Sequence, residues 1–133
     1  MNTALLAVGS GFVGVAALIH VYIFFLESIA WSKPKTWKTF GLKSQAEADT
    51  VKPMAYNQGY YNAFLAIGVL VGIVLLFTPG TQQAGFALTV FAALSMVLAA
   101  TVLITSSPKL ARAALLQGTA PLVGVVLLVL ALI

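Results

Sequence analysis

Four long apolar runs decide what this chain can fold into. They extend from about Ala4 to Trp31, Met54 to Phe77, Ala84 to Ile104 and Ala113 to Ile133. Each supplies the roughly 20 residues that a helix needs to cross a ~30 Å hydrocarbon layer. The apolar residues are continuous rather than alternating, which selects helix over strand. Inside lipid, only helices or closed barrels satisfy their own backbone. Composition agrees: 61% of the residues are hydrophobic and 8% charged, against about 25% charged in an ordinary soluble domain. That leaves too little polar surface to cover a water-soluble globule and too much apolar surface for a disordered chain. With no cysteine, a disulfide scaffold, a Cys-ligated zinc, an iron–sulfur cluster and a cysteine nucleophile are all excluded. The expected fold class is all-α: a polytopic membrane protein in which residues 1–133 form a single four-helix transmembrane bundle.

The connections are unequal in charge. Residues 32–53 form a first loop with Lys33, Lys35, Lys38, Lys43 and Lys52, and a third loop carries Lys109 and Arg112. The second, Thr78 to Gln83, has no charge. All seven cationic side chains therefore fall at one end of the bundle. The positive-inside rule places that end in the cytoplasm and both termini extracytoplasmic. The net charge of +4 thus follows from topology, and no nucleic-acid partner is expected. Met1-Asn2-Thr3 has no basic residue, and the apolar run behind it is longer than a leader's core. It is expected to be a span rather than a cleaved signal peptide. In the first loop, Trp31 and Trp37 with Lys33 and Lys35 read as an interfacial anchor at the headgroup layer. Ser44 followed by Glu47 is a capping-box pattern for a short helix.

Polar residues inside the apolar runs are the candidates for function, because they are costly in lipid and usually face an interior. Counting ~1.5 Å of rise per residue from Trp31, Glu27 lies roughly 6 Å inside and His20 roughly 16 Å inside. From Lys52, Asn57 lies roughly 7 Å and Asn62 roughly 15 Å inside; from Arg112, Gln117 lies roughly 7 Å inside. Two layers are expected: Glu27, Asn57, Gln58 and Gln117 near the cytoplasmic rim, and His20 with Asn62 deeper. Tyr22 and Tyr61 add phenols. Together they suggest a polar pocket open to the cytoplasm. The alternatives stay open: Glu27 paired with Lys33 or Lys52, His20 bonded to a neighbouring helix, and the carboxamides acting as helix–helix glue. Gly9, Gly11, Gly14, Gly68 and Gly72 read as faces for close helix approach.

These residues also carry a family resemblance. Leu18-Ile19-His20-Val21-Tyr22, Leu26-Glu27, Trp31 and Phe40-Gly41 look like the opening of the bacterial domain-of-unknown-function 1304 family. Ala55 to Ala66, which reads Ala-Tyr-Asn-Gln-Gly-Tyr-Tyr-Asn-Ala-Phe-Leu-Ala, resembles its central signature. Gln117-Gly118 with Pro121 resembles its last-helix element, the proline falling one residue later here. The resemblance implies a small four-helix protein of the bacterial inner (cytoplasmic) membrane, multi-pass, and supplies no activity.

Three functions are compatible with the residues. In the first, a membrane-embedded site binds or transforms a small, partly lipophilic molecule. Glu27 and His20 would serve as proton-transfer groups, and Asn57, Gln58, Tyr61, Asn62, Tyr22 and Gln117 would bind the ligand. The second is a proton-coupled or small-solute transporter using the same pair as a relay. The third is a non-catalytic scaffold or partner subunit. A homo-oligomer, dimer or trimer, is expected by analogy with other small membrane enzymes. No metal site is expected. A haem would depend on His20 as its histidine ligand, and one His without Cys argues against it.

Overall fold

The computed structural model describes residues 2–133, and all their regular structure is helical. Helix α1 is Thr3–Phe24, continued by a π turn at Phe25–Ile29. A short α2, Pro34–Thr39, leads to the long α3, Gln45–Leu76. Helix α4 is Gln82–Ser106, and a 3₁₀ turn at Pro108–Leu110 enters α5, Ala111–Leu130. Four of these helical stretches are long and apolar enough to cross a membrane.

The spans form a square: α1 and α4 each pack against α3 and α5, while α1 and α4 barely meet across the diagonal. Leu6, Val13, Ala16, Ala17, Val69, Leu76, Met96 and Leu128 fill the centre. Large apolar side chains such as Leu18, Val74 and Phe91 point outward, as expected when lipid rather than water is the surrounding solvent.

Small residues set the spacing. A methyl on Gly124 would meet Val13 N at 3.0 Å, and one on Gly9 would meet Leu127 and Leu128 at 3.1 Å, so α1 and α5 touch nearly backbone to backbone. Gly72 lies equally close to Thr89, and Gly85 to the backbone of Leu75 and Leu76, which closes α3 on α4. Gly9, Gly68 and Gly72 therefore act as expected. Gly11 and Gly14 do not, since nothing lies within 4 Å of either added methyl. They sit two and five residues after Gly9, on other sides of α1. The ends of the chain are joined by the Asn2 N–H, which donates to Ala131 O at 2.8 Å. The Asn2 side chain caps α1 by accepting from the Ala4 and Leu5 N–H groups.

At the lysine-bearing end, the stretch expected as a loop is largely helical. The Ser44 hydroxyl accepts from Glu47 N–H at 3.2 Å, and the Glu47 carboxylate accepts from Lys43 N–H at 2.8 Å. This capping box starts α3 at Gln45, nine residues before the expected Met54. Pro53 lies inside the helix instead of bounding it. The Asp49 carbonyl that loses its donor there belongs to an exposed turn, where water can replace the missing bond. Trp31 and Trp37 were expected to anchor in headgroups. The structure buries both, at 5% and 4% exposure, in a small core with Ala48, Ala55, Phe40, Leu42 and Val51. Trp31 Nε1–H donates to Ala48 O and Trp37 Nε1–H to Gln45 Oε1. The rings hold α2 and the first turns of α3 as a cap, while Lys33 and Lys35 remain exposed.

Candidate functional site

Beneath this cap, α1 widens into its π turn, and the turn carries Glu27. A π turn accommodates one extra residue per turn and is enriched at functional positions. Here α3 comes very close to it. A methyl on Gly59 would collide with Ser28 Oγ and lie 3.1 Å from Glu27 Cβ and 3.2 Å from Phe24 O. Only glycine lets the two backbones meet. Ser28 Oγ–H then donates to Tyr56 O at 2.9 Å, and Tyr60 stacks edge-on against Phe24 with centroids 5.2 Å apart.

The close approach brings Glu27 and Asn62 together. Asn62 Nδ2–H donates to Glu27 Oε2 at 2.9 Å and shares itself with Gln58 O at 3.1 Å. Both residues are buried, Glu27 at 8% and Asn62 at 9% exposure. The other carboxyl oxygen, Oε1, receives no hydrogen bond from the described residues and is not sealed from access. Neither Lys33 nor Lys52 pairs with Glu27, whose one side-chain partner among the described residues is Asn62.

His20 lies deeper and is 1% exposed. Its Nδ1 bonds to Ala16 O at 2.8 Å, and Nε2 has no partner among the described residues. Extending the α1–α5 register from the Gly124–Val13 contact puts His20 level with Gln117 and Phe25 level with Arg112. His20 is then roughly 8 Å below the level of Arg112, shallower than the depth counted from Trp31, because Trp31 belongs to the cap beyond the span. The deeper layer expected to contain His20 and Asn62 therefore divides, with Asn62 joined to Glu27.

The remaining candidates lie differently. Asn57, Gln58, Tyr61 and Tyr22 are exposed on the outside of the bundle, and Gln117 is half-buried. Ser95, Thr101, Thr105 and Thr119 each donate to the carbonyl four residues earlier. These hydroxyls are satisfied within their own helices.

The chain matches, over residues 14–129, the family described as Protein of unknown function (DUF1304). It belongs to that family. The matched region contains this π turn and its glycine contact. A further similarity is to the uncharacterized protein YpaA of Lactococcus lactis subsp. lactis (strain IL1403), 33% identical over 60 residues. That match covers 44% of this chain and 50% of the relative, so it spans about half the length of the curated protein. No solved structure matches. Within the central DUF1304 signature, Gly59, Tyr60 and Asn62 meet α1 and its π turn while Asn57 and Tyr61 are exposed. Sequence reasoning overlooked the roles of Gly59 and Ser28. A glycine between two carboxamides in an otherwise bulky stretch was the available signal, and for Ser28 there was none.

Proposed function

We propose that this protein is a multi-pass inner-membrane protein whose Glu27–Asn62 pair binds a small, partly lipophilic molecule at the lysine-bearing end of the bundle. The observation that carries the reading is the half-satisfied carboxyl. Asn62 holds one oxygen of Glu27 in place, and the other has no partner among the described residues. That oxygen stays open to approach, so a ligand N–H or O–H group can complete its hydrogen bonding. Glu27 is the group placed to exchange a proton with the ligand, and His20 lies seven residues deeper on the same helix. The exposed Asn57, Gln58, Tyr61 and Tyr22 form a polar outer face that a second copy would cover, which favours a homo-oligomer. A relay across the whole membrane is less favoured, since the far half of the core is mostly apolar, with Leu6, Val13, Val69, Leu76 and Leu128 around the two buried hydroxyls of Ser10 and Thr89.

Mass spectrometry of small molecules extracted from protein purified in mild detergent tests this reading. The wild type is expected to carry a compound that Glu27→Gln loses while keeping its melting temperature. Identical extracts would sink the proposal. The cytoplasmic placement of the lysine-bearing end rests on the distribution of the seven cations. A periplasm-dependent reporter fused after Ile133 should be active, and activity of a cytoplasm-dependent one would reverse the orientation.

A further inference from the structure

Along the seam between α1 and α5 runs an open groove of about 600 Å³, lined by Phe12, Leu115, Leu116, Thr119, Ala120 and Arg112. It lies on the α5 side of α1, whereas the Glu27–Asn62 contact lies between α1 and α3. On α5 the lining runs from Arg112 to Ala120, roughly 12 Å along the helix. That is most of the ~15 Å depth of one hydrocarbon leaflet. Its wall is apolar except at the end. Thr119 turns its hydroxyl onto Leu115 O, which leaves Arg112 as the one charge on the lining.

Among the described residues, Arg112 has no counter-charge. The chain has three acidic residues, and all are engaged elsewhere. Glu27 accepts from Asn62, Glu47 from the Lys43 N–H, and Asp49 from the Gln45 amide. Lys109, three residues before Arg112, adds a second exposed cation at that end. An apolar trough that ends in a guanidinium without a protein counter-charge has the polarity of a phospholipid with an anionic headgroup. Guanidinium forms two parallel hydrogen bonds to a phosphate, and basic residues between spans select anionic lipids.

We infer that the α1–α5 groove is a binding site for one anionic phospholipid, with an acyl chain along Leu116 and Ala120 and the headgroup phosphate on Arg112. A zwitterionic lipid can place the same chain in the groove, but its own cation offsets the charge that Arg112 attracts. A single well-placed cation corresponds to about a fivefold preference.

The test is native mass spectrometry of the full chain in detergent, titrated with phosphatidylglycerol or phosphatidylcholine of identical acyl chains. Wild type is expected to bind phosphatidylglycerol about fivefold more tightly, with inorganic phosphate failing to compete at equal concentration. Arg112→Gln should abolish the preference while keeping weak binding of both lipids. Thr119→Phe, which fills the groove from an exposed position, should weaken both lipids. Arg112 and Thr119 are exposed, and an unchanged melting temperature will verify that each variant is folded. An undiminished preference in Arg112→Gln, equal binding of the two lipids by wild type, or full binding by Thr119→Phe would overturn the assignment.

Discussion

Gly59→Ala is expected to destabilise the protein by about 1–3 kcal/mol, the usual cost of forcing a methyl into a packed contact. The new methyl would overlap Ser28 Oγ and press on Glu27 Cβ and Phe24 O. Ser28 can rotate away, but then its bond to Tyr56 O is lost. The Phe24 carbonyl cannot rotate, so α3 must retreat from the π turn. Retreat lengthens the 2.9 Å bond from Asn62 to Glu27. The variant should therefore melt at lower temperature and also lose any ligand held by Glu27. Thermal unfolding in detergent checks the first effect and the extraction experiment the second. A variant as stable as wild type would mean that the two backbones do not meet at Gly59.

Gly85→Ala is expected to cost at least as much, for a simpler reason. The atoms it would strike are Leu75 C and the N and Cα of Leu76. All are backbone, so no side chain can move aside and α4 must separate from α3. This contact lies at the opposite end of the bundle from the cap. A destabilised Gly85→Ala that still carries its ligand, beside a Gly59→Ala that does not, would separate loss of fold from loss of site. Comparison of the two unfolding curves with the two extracts gives the answer, and equal loss of ligand in both variants would contradict it.

Much of the architecture was legible in the sequence because lipid demands it. Continuous apolar runs and uncharged or basic turns specify four spans without reference to packing. Hydropathy marks the start of the span at Met54 and the Ser44–Glu47 pattern marks a separate short helix before it, whereas α3 joins the two through Pro53. In the exposed turns before the apolar run, a proline is tolerated, and the Ser44–Glu47 cap outweighs it. Trp31 and Trp37 were misjudged for a different reason. Tryptophans interspersed with lysines look the same in sequence whether the rings meet headgroups or other side chains, and here Ala48 and Ala55 leave room for them.

The site was legible in its members and not in its pairings. Glu27, His20 and Asn62 stood out as polar residues in apolar helices. Their grouping by depth assumed an uninterrupted α-helix and a boundary at Trp31. The π turn at Phe25–Ile29 breaks the first assumption and the cap the second. Nothing in the residue types of Phe-Leu-Glu-Ser-Ile announces a widened turn. The turn is matched by a glycine on another helix, 31 positions after Ser28 along the chain.

In the proposed site, Glu27 presents one carboxyl oxygen to a ligand while Asn62 fixes the other. The decisive measurement is a structure of the protein taken from its native membrane, at a resolution that shows ordered water. Non-protein density larger than a water is expected within hydrogen-bond distance of Glu27, with Asn62 bonded to the opposite oxygen. A Glu27 carboxyl wholly enclosed by protein side chains, with no room beside it, would rule the site out.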